Sequence, residues 1–259
     1  MRHCFVVRVF TMGSSGGNAL GVIPDSTGLA SGDMQRIAAD LGFSETVFID
    51  WATAGMPALR IFTPVAELPF AGHPLVGTAW VLNHLGPGSG MMGIAIGEVG
   101  VRTRGDVVWV SPPAVERPVR EVAASQATAL GVPAVRAWRV QVPSDFLLAE
   151  VASAADVIAV QPDLAAVAGA ADGLSVFHGE APTRSRFFAP RIGIDEDPAT
   201  GSAAVALAAV RRTLGRDAGT ARVVQGLPGS LSEIHLTWDG VAVDLGGTVV
   251  KDEVRVLDD

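Results

Sequence analysis

Two short blocks of this sequence set a polar or ionisable side chain directly before proline and a run of small residues: HPLVGTA, from His73 to Ala79, and DPATGSA, from Asp197 to Ala203. Proline suits the first turn of a helix, and the opening N–H groups of a helix have no partner within it, so an anion is favoured there. Asp197 reads as the cap of such a helix, with a place beside it where a carboxylate or phosphate could be held. Proline, glycine and alanine recur at matching places in the two blocks, with Thr78 standing where the later one has Ser202. A third candidate is Glu45 in SETVFID, flanked by Phe43, Val47 and Phe48. Those neighbours would disfavour its ionisation if it points inward, whereas at a strand edge it would be an ordinary solvated glutamate. Asn18, following Gly16 and Gly17, is either a turn residue or part of a backbone nest facing a ligand.

Composition narrows the chemistry open to these groups. The single cysteine, Cys4, excludes an intramolecular disulfide framework, a thiolate metal cluster and any racemisation that uses two opposed thiols. Cys4 itself reads as a buried strand residue. Lys251 is the only lysine and lies near the C-terminus, a poor basis for a pyridoxal phosphate Schiff base. His3, His84, His178 and His235 have no companions at metal-ligand spacing and are read as structural, so neither a metal nor a cofactor is expected. The net charge of −8 argues against nucleic acid as the main partner. The opening MRHCFVVRVF is interrupted by Arg8 and lacks the form of a targeting segment. The apolar runs are shorter than the roughly 20 residues that cross a bilayer. A cytoplasmic protein without membrane partners is expected.

The elements that must position these residues come in two similar sets. Residues 3–10 read as a strand, followed by the glycine-rich TMGSSGGNALGVI and a return to strand. Ser31 caps a helix that Gly42 ends, and SETVFID and RIFTP, the latter from Arg60, read as strands. The helix after His73 is apolar all round, which marks it as enclosed within its domain. GPGSG, Gly86 to Gly90, breaks the chain; strands over Met91–Arg104 and Val107–Val110 flank a turn at Gly105-Asp106, and SPPAVERP, Ser111 to Pro118, is the linker candidate. In the second half, strands are expected over 137–142, 147–153 and 174–178, and a helix over 162–168. RIFTP at Arg60 then recurs as RFFAP at Arg186, 126 residues on, and HPLVGTA recurs as DPATGSA 124 residues on. Two motifs repeating in one order at nearly one offset imply two similarly folded halves, each a bent sheet around one buried helix. The expected division is 1–114 and 115–259, with the last strand able to return to the first lobe. After the second helix, the arginines at 211 and 212 neutralise its C-terminus, and two strands turn at Asp239-Gly240.

Taken together, GGN at Gly16–Asn18, SETVF at Ser44–Phe48, RIFTPVAELPFAGHPLVGTA at Arg60–Ala79 and RFFAPRIGIDEDPATGSA at Arg186–Ala203 resemble the phenazine biosynthesis PhzF-like family. The resemblance runs nearly the full length and includes the QG…PGS segment after the second helix. It implies an α+β fold of the diaminopimelate epimerase-like kind: two pseudo-symmetric lobes, each a bent sheet or barrel wrapped around a central apolar helix, with a cleft between them. Carried over by residue, it implies Glu45 as the acid/base, and Asn18, Gly72, His73, Asp197, Gly201 and Ser202 as the substrate-binding set. Where the epimerases place two thiols, this chain has His73 and Asp197. Two departures stand out: Met12-Gly13-Ser14-Ser15 replaces the usual proline and aromatic before GGN, and Ala19 replaces a common proline.

The implied function is that of a cofactor-independent isomerase, moving a proton within a small carboxylate-bearing substrate by carboxylate acid/base catalysis. The altered loop at Met12–Ser15 motivates an alternative, a two-lobed small-molecule binding protein without turnover. The family resemblance also implies a homodimer.

Overall fold

Alternation of Val, Phe and Arg makes Arg2–Val9 the first strand, β1, and the chain returns through β2 (Asn18–Ile23). There follow α1 (Ser31–Leu41), β3 (Glu45–Asp50), β4 (Ala58–Phe62), β5 (Glu67–Leu68), α2 (Gly72–Leu85), β6 (Met91–Ile94), β7 (Gly97–Arg104) and β8 (Val107–Ser111). The second half contains β9 (Val119–Val122), α3 (Ser125–Thr128), β10 (Ala134–Val142), β11 (Ser144–Val151), α4 (Ala154–Ala159), α5 (Leu164–Ala170), β12 (Gly173–His178) and β13 (Thr183–Ala189). A 3₁₀ turn at Pro190–Ile192 leads to β14 (Ile194–Asp197), α6 (Gly201–Thr213), β15 (Ala218–Gln225), β16 (Ser232–Asp239) and β17 (Ala242–Leu257). This computed structural model describes residues 1–51, 55–86 and 90–257; the middle of the expected GPGSG break lies outside them. The chain forms two compact units, Met1–Pro113 with Asp244–Asp259, and Ala114–Val243. The junction falls inside SPPAVERP.

In the first unit the strand pairings close into a ring of eight, in the order β4, β3, β2, β1, β17, β8, β7, β6 and back to β4. Most pairs are antiparallel, but β4 and β6 run parallel, as do β2 and β3 with Leu20 opposite Glu45. Helix α2 packs against β1, β2, β3 and β8, and every residue from Gly72 to Ala79 is buried. An α-helix with no polar face has to be enclosed in this way. Gly77 allows the close approach: a Cβ there would stand 2.5 Å from Leu20 Cδ2 and 2.7 Å from Val9 Cγ2.

In the second unit β9, β10, β11, β12, β13, β15 and β16 pair in that order, with β14 alongside β13. Helix α6 packs against β9, β10, β11 and β16, and Ala203 through Arg211 are buried. Helices α4 and α5 cover a further core that includes Leu147, Val157, Val167 and Leu174. The side chains of Ser153 and Asp163 cap these two helices.

Three local expectations change. Helix α1 starts with Ala30, not Ser31, in the cap position, and the Ala30 N–H donates to Asp33 Oδ2 at 3.2 Å. The strand expected over Met91–Arg104 is a hairpin, β6 and β7, in which Ile94 pairs with Gly97. Helix α6 begins at Gly201, four residues after Asp197, which ends β14 opposite Phe187. Its C-terminal arginines engage side chains as well as backbone: Arg211 donates to the Glu180 carbonyl at 3.3 Å, and Arg212 lies 3.8 Å from Glu116.

Filling the notch at Gly77 should be costly because the surrounding side chains are close-packed. Gly77→Val is expected to lower stability by about 1–3 kcal/mol. A urea midpoint unchanged from that of the parent protein would show that Leu20 and Val9 yield freely.

Candidate active site

Parallel pairing of β2 and β3 brings Asn18, at the start of β2, beside Ser44 and Glu45 at the start of β3. The first turn of α2 adds His73 to them. Asn18 and His73 are each 3% exposed and Glu45 is 8% exposed, so these polar groups are largely withdrawn from water, and His73 Nε2 and Glu45 Oε2 are buried with no hydrogen bond between them. Ser44 Oγ donates to Asn18 Oδ1 at 3.0 Å, Asn18 Nδ2 lies 3.4 Å from His73 Nδ1, and His73 Nε2 lies 3.4 Å from Glu45 Oε2. Asn18 is thus a buried strand residue bonded to a side chain, not a residue within the turn. Glu45 points inward rather than lying at a solvated edge, and Gly72 is the buried first residue of α2.

Burial pushes the His73 imidazole down from its ordinary 6.5 to about 3. An uncharged ring therefore faces the carboxylate near neutral pH, and it is a poor acceptor for any proton that Glu45 gains.

The polar group of the second unit is built on Asp197, which is 7% exposed. Thr200 Oγ1 donates to Asp197 Oδ2. The Gln225 side chain donates to the Asp197 carbonyl at 2.7 Å and to Thr200 Oγ1 at 3.0 Å, and it accepts from the Thr200 N–H at 3.2 Å. These bonds hold residues 197–200 out of helical conformation, which is why α6 starts late and Asp197 does not cap it. Gly201 is buried at the first position of α6 and Ser202 is half-buried beside it. His73 and Asp197 are therefore not structural equivalents, since one lies within a helix and the other ends a strand.

The chain matches the model of the family described as phenazine biosynthesis-like protein over residues 7–227. It belongs to that family. It is 34% identical over 223 residues to the trans-2,3-dihydro-3-hydroxyanthranilate isomerase of Pseudomonas chlororaphis, covering 80% of this chain and 79% of the relative. The fold matches a PhzF family phenazine biosynthesis protein of Enterococcus faecalis with a TM-score of 0.82, at 23% identity and over 98% of this chain and 97% of that one. A probable proline racemase from Agrobacterium radiobacter matches with a TM-score of 0.70 at 11% identity, over 100% of this chain and 93% of that one. The fold is thus the α+β, epimerase-like one expected, and the chain is an isomerase of the phenazine biosynthesis-like family.

The loop that departs from the family pattern is held in place. Met12 and Ser15 bridge each other, and Arg8 Nη1 donates to the carbonyls of Ser14 and Gly16 at 3.1 and 2.9 Å. The Arg8 Nε in turn lies 2.9 Å from Asp252 on β17. Gly16 and Gly17 turn the chain into β2 with φ of 65° and 86°, and a Cβ at Gly17 would stand 2.8 Å from Thr11 Cγ2. Among the described residues no group of three or more His, Cys, Asp or Glu could hold a metal ion. No helix among them is long and apolar enough to cross a membrane.

Sequence reasoning did not single out Ser44, Thr200 or Gln225. All three lie inside quoted motifs, SETVF, DPATGSA and QG, where a polar residue next to an apolar run was the available signal.

Two measurements check these networks. Between about pH 6.5 and about pH 3 the unfolded chain binds a proton at His73 that the folded chain does not, so stability is fully present above this window and lost as pH falls through it. The contribution approaches about 1.4 kcal/mol per pH unit. His73→Asn should remove that slope in urea titrations from about pH 7 to about pH 4. Gln225→Met, which leaves the Asp197 carbonyl and Thr200 groups without this partner, should cost about 1–3 kcal/mol in the same assay.

Proposed function

We propose that this isomerase moves a proton within a small carboxylate-bearing substrate, with Glu45 taking it from one carbon and returning it to another. The observation that carries this reading is the buried Glu45 carboxylate set 3.4 Å from an imidazole that burial keeps neutral. The substrate C–H bond breaks toward Glu45 and its electron pair passes into an adjoining unsaturated system. The proton then forms a bond to a second carbon of the same molecule, so no co-reactant is consumed. Positioned acid/base transfer of this kind contributes on the order of 10²–10⁴ in rate. N–H groups of the first turn of α2, at Gly72 and His73, hold the substrate carboxylate and stabilise developing negative charge; the family resemblance assigns Gly201 and Ser202 substrate-binding roles as well. Asn18 completes the polar lining on the first unit, and Asp197 orients the substrate without itself carrying the proton.

The relative's name supplies the first substrate class to try, a cyclic dihydro hydroxy amino acid. A cofactor-independent, cytoplasmic homodimer belongs to the same reading, and sedimentation reads its oligomeric part.

The test is a deuterium wash-in screen over small amino and cyclic unsaturated acids. Solvent deuterium should enter a turned-over substrate, and Glu45→Gln should slow that entry by on the order of 10²–10⁴. Substitution of Asp197 by Asn should impair the same turnover. Exchange unaffected by Glu45→Gln would remove Glu45 as the proton carrier. Carboxylate binding that protects against thermal unfolding, without exchange at any pH, would instead favour a binding protein that has lost turnover.

A further inference from the structure

The chain of side chains ending at Glu45 has a direction, and its far end lies at two residues with no role in the proton transfer itself. Ser44 donates its hydroxyl proton to Asn18 Oδ1 at 3.0 Å, which turns the Asn18 NH₂ toward His73 Nδ1 at 3.4 Å. A ring nitrogen facing an NH₂ accepts, so Nδ1 carries no proton, and a neutral imidazole must then carry it on Nε2. That N–H lies 3.4 Å from Glu45 Oε2, facing it without forming a hydrogen bond. Turning the amide over would set Asn18 Oδ1 against Nδ1 and require the proton there. The bare lone pair of Nε2 would then oppose a carboxylate oxygen in a site that water scarcely reaches.

We propose that Ser44 and Asn18 are positioning residues that hold His73 as the Nε2–H tautomer, so that an N–H rather than a bare lone pair faces the Glu45 carboxylate. The proposal deepens the reading of Glu45 as proton carrier and rests on it. Its consequence is retention. The proton leaves the substrate carbon for the Glu45 carboxylate, finds no acceptor in an imidazole already protonated on the facing nitrogen, and is returned from the carboxyl group to the second carbon. Burial, which holds the imidazole neutral, acts in the same direction. The backbone builds this arrangement from three separate elements: Ser44 and Glu45 are consecutive, Asn18 opens the parallel strand beside them, and His73 is fixed in the first turn of α2.

The tautomer can be read without turnover. In the intact protein labelled with ¹⁵N-histidine, His73 is assigned among the five histidines by the signal lost in His73→Asn. The expected spectrum shows Nδ1 at the position of an unprotonated ring nitrogen and Nε2 as protonated. Asn18→Asp, which offers only acceptor oxygens to Nδ1, should move the proton to Nδ1. Ser44→Ala should give a mixture, and Ser44→Thr should restore the single tautomer. In the wash-in assay, Ser44→Ala should lower kcat on the order of tenfold or more with KM little changed, and Ser44→Thr should recover it. A proton on Nδ1 in the unaltered protein, or a His73 spectrum unmoved by both Ser44→Ala and Asn18→Asp, would overturn the proposal. If the spectra behave as expected while Glu45→Gln leaves exchange intact, the tautomer assignment stands and the role of Glu45 fails, so the two failures are distinguishable.

Discussion

Enclosure of the apolar helix α2 is the constraint on which the first unit depends. A helix with buried residues on every side cannot lie on a sheet with one flank in water, and here eight strands close around it. Close packing at Gly77 against Val9 and Leu20 sets its depth. With the helix so placed, its first turn meets the N-terminal ends of the parallel pair β2 and β3. The polar side chains at those ends lose water together. Ser44, Asn18 and His73 join in a hydrogen-bonded series, and His73 Nε2 faces Glu45 Oε2 at 3.4 Å without a hydrogen bond.

The second unit encloses α6 but treats the polar end differently. Gln225, from the strand after the helix, satisfies both the carbonyl of Asp197 and the N–H of Thr200. This bracing keeps Asp197 extended and gives its carboxylate the Thr200 hydroxyl as a partner. The two halves thus share a plan, a buried helix with a polar group near its N-terminus, while differing by a turn in where the helix starts. A repeated fold does not oblige repeated side-chain roles.

Electrostatics ties these local solutions to catalysis. A charged imidazole beside Glu45 would stabilise the carboxylate and weaken it as a base, whereas burial keeps the His73 ring neutral, as the proposed role of Glu45 requires. The single cysteine has already removed the two-thiol route. The loop from Met12 to Ser15, though divergent from the family pattern, is tied to the strands through Arg8 and Asp252, so divergence of sequence there coexists with a defined conformation.

Much of this protein was legible in the order of its residues. The apolar runs after His73 and Asp197 marked both central helices, the recurrence of RIFTP and HPLVGTA marked two halves, and Gly42 marked the end of α1 with φ of 69°. These are local signals, because periodicity and turn chemistry act over a few residues. The motifs also carried the family likeness, and with it the expectation that gives Glu45, His73 and Asp197 their proposed roles. What tertiary structure alone decided were matters of partner and register: that β17 closes the first unit beside β1 and β8, that Asn18 meets His73 rather than turning the chain, and that Gln225 delays α6. A strand's pattern states which face is apolar but not which strand lies beside it, and a buried amide or hydroxyl takes its role from groups brought to it by distant segments.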